Sequence, residues 1–153
     1  MNEMAVVADR IPPMSTEAVE QVRKLETAML SEPQTEIETR HLIHGGVYMR
    51  TITMPANTLL AGAFVKIPTT LIVSGCVTIY MDGDAVDFVG YNVLPASGGR
   101  KQAVLAHTVA DLTMLFPTSA TTVAEAEAEF TDELELLVSR KDEDNNVTFI
   151  TGE

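Results

Sequence analysis

Between about residues 36 and 118 the chain breaks into short runs rich in Val, Ile, Thr and Tyr, each closed by turn-forming residues. This rhythm constrains the fold more than any other feature. The turn candidates are HGG at 44–46, PAN at 55–57, SG at 74–75, DGD at 82–84 and SGG at 97–99. Runs this short at this spacing describe a sandwich or a closed barrel, so the expected fold is mainly β. In VYMRTITM a period of two puts Tyr48, Arg50, Ile52 and Met54 on one face and Val47, Met49, Thr51 and Thr53 on the other. In RKQAVLAH the residues Lys101, Ala103, Leu105 and His107 share a face. Several strands are largely apolar on both faces, as expected where an interior lies on one side and a helix or neighbouring subunit on the other.

The flanks read differently. Residues 15–31 follow Pro12 and Pro13, open on Ser/Thr capping candidates with Glu17 in the first turn, and place Val19, Val22, Leu25, Ala28 and Met29 at helical spacing before Pro33. An amphipathic helix is expected there. After Pro117 a second helical region is expected, capped by Thr121 or Thr122, with Val123, Ala124, Ala128 and Phe130 available for packing. It restarts at Thr131 with Leu134, Leu137 and Val138 on one stripe, and NVTFITGE reads as a last short strand. The run EAEAE at 125–129 reads as a solvent-facing helical segment. The chain divides into an arm and helix (1–40), a β-barrel (41–118), and an acidic helical segment with a terminal strand (119–153).

Composition narrows the function. A chain of 153 residues suits one domain, which at that size buries roughly 68–70% of its unfolded surface without covalent staples. Cys76, the single cysteine, allows no intrachain disulfide and no metal-type cysteine pair. The opening MNEMAVVADR carries acids and no apolar signal core. The longest uncharged stretches, 51–65 and 67–81, fall short of the ~20 apolar residues that cross a bilayer. A cytoplasmic location without membrane contact is therefore expected. The net charge of −12 divides as −4 over residues 1–40, zero over 41–118 and −8 over 119–153. With no basic stripe to release counterions, nucleic acid is not an expected partner.

The run GGVYMRTITMPANTLLAGAFVKIPTTLIVSGCVTIYMDG, followed by GYNVLPASGGRKQAVLAHTVADLTMLFPT, resembles the cupin superfamily. Within it, the chain is similar to small cupin-like proteins encoded by bacteriophages and prophages, and the acidic tail running into FTDELELLVSR looks like that group too. The resemblance covers about 41–118. It implies a double-stranded β-helix, or jelly-roll, barrel with N-terminal and C-terminal helices, and a host-cytoplasmic or virion location. In cupins the first motif carries two His and a Glu before a glycine that matches Gly75, and the second carries a Pro, a Gly and a further His that complete a metal site. Between Leu59 and Val73 the only polar side chains here are Lys66, Thr69 and Thr70. Pro95 and Gly98 remain from the second motif, but Arg100 or Lys101 replaces the His. A cation repels a metal, and one imidazole, His107, is too few ligands, so a metal-free barrel without cofactor is expected.

Three classes of function follow. The first is a non-enzymatic assembly or interaction protein, a homo-oligomer that also meets other virion or host proteins. The second is a binder of an anionic small molecule (sugar, nucleotide or carboxylate), with Arg50, Lys66, Arg100, Lys101, His107 and Tyr48 as candidate contacts; these cations could instead serve the turns and acidic flanks. The third is a metal-independent enzyme of the sugar-isomerase type, with His107 and either Tyr48 or Tyr80 as acid and base. His41 and His44 fall on opposite faces of a strand, so joint ligation is not expected; an ion held by His41, His44 and Asp111 would overturn the metal-free reading. The first class is the one the sequence favours.

Overall fold

The computed structural model describes residues 10–153; the first nine residues of the expected arm lie outside it. Ser15 caps helix α1 (Thr16–Met29), its hydroxyl accepting the Ala18 N–H at 3.1 Å, and Glu17 adds a carboxylate at the positive end of the helix dipole. Ala18, Val19 and Val22 form its buried stripe. Ala28, expected on that stripe, is exposed. Eight strands follow: β1 (Glu38–His44), β2 (Val47–Met54), β3 (Thr58–Ala61), β4 (Thr69–Tyr80), β5 (Ala85–Ala96), β6 (Ala103–Ala106), β7 (Ala110–Pro117) and β8 (Asn146–Ile150). Between β7 and β8 lie α2 (Val123–Phe130) and the single turn α3 (Val138–Lys141). The chain is mainly β with flanking helices, as its patterning predicts.

The strands form one curled sheet in the order β3-β6-β4-β7-β2-β1-β8. One edge of β4 pairs first with β7 through Thr70–Ser74 and then with β6 through Val77–Tyr80, while β5 takes the whole of the other edge. Gly75 sits where β4 changes neighbour, at φ +131°, and a Cβ there would stand 2.9 Å from both the Ala110 Cβ and the Val109 carbonyl oxygen. Only glycine fits that crossing. The expected turn at Ser74–Gly75 is therefore absent: both residues lie inside a continuous strand, and so does Cys76. The other four turn signals fall between elements. Pairings among the eight strands are antiparallel except β1 with β8, which brings a strand from the acidic tail beside the first one.

Two apolar clusters result. Met54, Val73, Val77, Ile79 and Leu94 fill the sheet's concave side with Leu112. Ile43, Tyr48, Phe116 and Phe130 form the second with Leu137, as α2 and the segment after it close against β2 and β7. Phe116 meets Tyr48 and Phe130 edge-on at 5.5 and 6.0 Å, a geometry that adds about 0.5–1.5 kcal/mol per pair to the burial itself. A capping box between Thr122 and Glu125 starts α2. The expected helix from Thr131 is instead a 3-10 turn (Leu134–Leu136) followed by α3, because Leu137 is extended. No described helix is long and apolar enough to cross a membrane.

Candidate functional site

Alternation along the chain decides which cations face the interior. Arg50 projects from β2 with buried Tyr48 and Met54, as the period of two predicts. Leading into β6, Arg100 and Gln102 point inward with Val104 of the strand itself, whereas Lys101 points outward under α1. Arg50, Arg100 and Gln102 line a cavity of about 150 Å³, whose walls are otherwise mainly apolar: Ile52, Leu71, Ile79, Leu112, Met114 and Phe130. Leu136, Leu137 and Val138 close one side of it.

The two inward guanidinium groups differ. Arg50 donates to the Glu127 carboxylate at 2.9 Å and lies 5.7 Å over the Phe130 ring. Glu127, 1% exposed, also accepts from Ser139 Oγ at 2.6 Å and from Arg140 Nε at 2.7 Å. Burial alone would raise its pKa; those bonds, with the charges of Arg50 and Arg140, hold it below the ordinary carboxylate value. Arg50 is thus neutralised in place. Arg100, 3% exposed, donates to the Ser97 carbonyl and to Thr69 Oγ1, both at 2.7 Å, and touches Met114 Sδ at 3.9 Å. Among the described residues no carboxylate pairs with it. Burial pushes its pKa down to about 10. A desolvated charge without a counter-charge costs several kcal/mol, and proteins seldom keep one without a use. Gln102 lines the same cavity, and its amide nitrogen is buried with no hydrogen-bond partner among the described residues.

A polar network lies behind the cavity wall. His41 Nδ1 is 2.8 Å from the Tyr48 hydroxyl and Nε2 is 2.6 Å from Asn146 Oδ1. Asn146 Nδ2 donates to the carbonyls of Ser139, Asp142 and Glu143, which leaves its oxygen to face the imidazole. His41 is therefore the neutral Nε2–H tautomer, accepting from Tyr48 at Nδ1. Burial holds its pKa below 6.5, and burial raises that of Tyr48. Tyr48 is wholly buried in this network rather than in the cavity wall.

The remaining candidates are dispersed. Lys101, 0% exposed, bonds Glu133 at 2.9 Å and Glu26 at 3.1 Å, and Arg23 also holds Glu133. Lys66 makes a surface pair with Asp132 at 2.7 Å. His107 is exposed on the convex side, 2.7 Å from Thr78 Oγ1, which donates to Asp87. His107 and Tyr48 thus lie on different sides of the sheet, and Tyr80 makes no bond to His107, so the expected acid–base pair is not assembled. Of the six expected ligand contacts, Arg50 and Arg100 share the cavity; Lys66, Lys101, His107 and Tyr48 do not reach it.

His41 is buried and His44 exposed, on opposite faces as expected, and Asp111 bonds Thr53 at 2.6 Å. Among the described residues no three His, Cys, Asp or Glu side chains come together as a metal site. The cavity offers two guanidinium groups and an amide, with no imidazole or carboxylate, so its residues do not fit the divalent ion that the cupin resemblance implies.

Two residues escaped the sequence reading. Gln102 follows from the same alternation as Arg100. Glu127 occupies the stripe between Val123 and Phe130 at positions i, i+4 and i+7, a signal masked by the acidic run around it; it faces the interior, not solvent.

No protein-family model matches the chain, and no curated protein matches it. Solved structures do. A cupin superfamily protein from Desulfitobacterium hafniense is 13% identical with a TM-score of 0.48, over 72% of this chain and 99% of that one. A cupin-2 domain protein from Shewanella frigidimarina is 10% identical with a TM-score of 0.42, over 60% and 91%. Salicylate 1,2-dioxygenase from Pseudoaminobacter salicylatoxidans, bound to gentisate, is 16% identical with a TM-score of 0.48, over 74% of this chain but 33% of that one. Likenesses this remote bear on neither activity nor ligand.

Proposed function

We propose that the barrel is a binding protein for a small organic anion, held in the interior cavity by Arg100. The observation that supports this reading is the buried guanidinium with no carboxylate partner among the described residues, set in a mainly apolar cavity. An anion would supply the missing counter-charge, and a charge-assisted bond there gains from the low local dielectric. Binding rather than catalysis fits the lining, because its polar side chains are two guanidinium groups and an amide, with no imidazole, carboxylate, hydroxyl or thiol among them. Thermal melting with acetate, hexanoate, benzoate and glucose 6-phosphate tests it: at least one should raise Tm in the wild type and leave Arg100→Met unmoved. If none shifts the wild type, the proposal fails.

A second reading, self-assembly, is supported by the convex face of β4 and β5. Val89 and Tyr91 are 73% and 70% exposed there, and Val93 beside them is also open to solvent. Asp87 is the one charged side chain on that stretch of β5, in a chain of net charge −12. A second copy is the natural partner, since a face with a single charge is where two acidic chains approach with least repulsion. Light scattering should return twice the chain mass, association should strengthen with salt, and Tyr91→Glu should abolish it. A single-chain mass at all concentrations would refute this reading. A virion or accessory role would be its biological setting, and rests on the sequence resemblance alone.

A further inference from the structure

Resting on the anion-binding reading, we infer that the ligand is a monoanion, a carboxylate on an apolar body the size of a benzene ring, with benzoate as its simplest representative. The charge follows from counting. Two guanidinium groups line the cavity, but Glu127 sits 2.9 Å from Arg50 and is itself fixed by Ser139 and Arg140. Among the described residues, Arg100 is the cavity guanidinium left without a carboxylate. A second negative group on the ligand would meet on the cavity only Arg50, whose guanidinium Glu127 already holds.

The headgroup follows from the donors. Arg100 has five N–H groups, and its protein partners are Ser97 O, Thr69 Oγ1 and the weak acceptor Met114 Sδ. Two positions further along the chain, Gln102 lines the same cavity, and its amide nitrogen is buried without a hydrogen-bond partner among the described residues. A carboxylate has two acceptor oxygens, one for the free N–H groups of Arg100 and one for the Gln102 amide once it turns toward the cavity. A neutral amide of the same shape offers one acceptor oxygen and no charge to set against Arg100.

The body follows from the space. The volume is about 150 Å³, and an apolar cavity of that size takes up one benzene ring. The walls, Ile52, Leu71, Ile79, Leu112 and Phe130, favour hydrocarbon over a hydroxylated sugar ring.

Calorimetric titration of the full chain with benzoate, benzamide, phthalate, 2-naphthoate and inorganic phosphate tests the inference. Benzoate should bind at least about tenfold more tightly than any of the other four. Gln102→Leu should weaken benzoate about fivefold to tenfold while raising Tm, since it removes an unsatisfied buried amide; this variant answers the question even if Arg100→Met does not fold. Phthalate or phosphate binding as tightly as benzoate would overturn the single charge, naphthoate doing so the size, and benzamide the carboxylate, each leaving anion binding itself standing. Hexanoate or glucose 6-phosphate binding while benzoate does not would also overturn this ligand class alone. Failure of every anion would bring down both readings.

Discussion

Replacing Glu127 by Leu strands Arg50 in an apolar interior. The carboxylate is 1% exposed and the guanidinium 8%, so solvent cannot rescue the lone charge, and breaking a buried pair in this way costs about 3–5 kcal/mol. Arg140, the other ion partner, has 36% of its side chain exposed and adds no more than about 1 kcal/mol. Leu is close enough in volume to leave no large void. At roughly 2–4 °C per kcal/mol for a domain of this size, Tm should fall by roughly 6–20 °C. Urea unfolding of the wild type, Glu127→Leu, Arg50→Met and the double variant measures the coupling. The double variant should regain most of the loss, because no uncompensated charge remains. A single-variant cost below about 1 kcal/mol, or a double variant no more stable than Glu127→Leu, would refute the reasoning.

Acidification should unfold the protein in two stages. His41 has a folded pKa below 6.5, so the unfolded chain takes the proton first: the stability is whole above pH 6.5 and is lost as pH falls through the lowered folded value. For Glu127 and Glu133 the folded pKa lies below 4.5, which extends the loss below pH 4.5; melts from about pH 8 to about pH 3 should show both stages, with His41→Gln removing the first. Gly75→Ala should cost about 1–3 kcal/mol in strain plus the clash with Ala110, against strain alone for Gly83→Ala, where nothing lies within 4 Å of the new Cβ; equal costs by urea unfolding would count against the crossing described at Gly75. Glu127→Gln, which keeps hydrogen-bonding capacity but releases Arg50, should raise the affinity for phthalate relative to benzoate by about tenfold in calorimetry.

Much of the fold is legible from residue order, because a sheet with one face inward writes its period directly into the chain. Strand β2, helix α1 and the turns at 44–46, 55–57, 82–84 and 97–99 all follow from such local signals. Gly75 does not: a glycine in a turn and a glycine where two strands cross look alike until the neighbour, Ala110, is known. The site was half legible. Alternation puts either Arg100 or Lys101 inside, and only the register of β6 decides between them. The difference between Arg50 and Arg100 was hidden, since it depends on a glutamate 77 residues away from Arg50. His107 showed why residue type alone misleads, because its imidazole bonds Thr78 on the convex side, away from the cavity.

Lys101 has a mechanical consequence. One ammonium holds Glu26 of α1 and Glu133 ahead of the cavity's closing wall, two segments more than a hundred residues apart in sequence. Neither can peel away without exposing a charge that the other needs. In hydrogen–deuterium exchange the amides of α1 and of 133–141 should therefore open together as one unit, and a ligand that slows exchange in the second should slow it in the first.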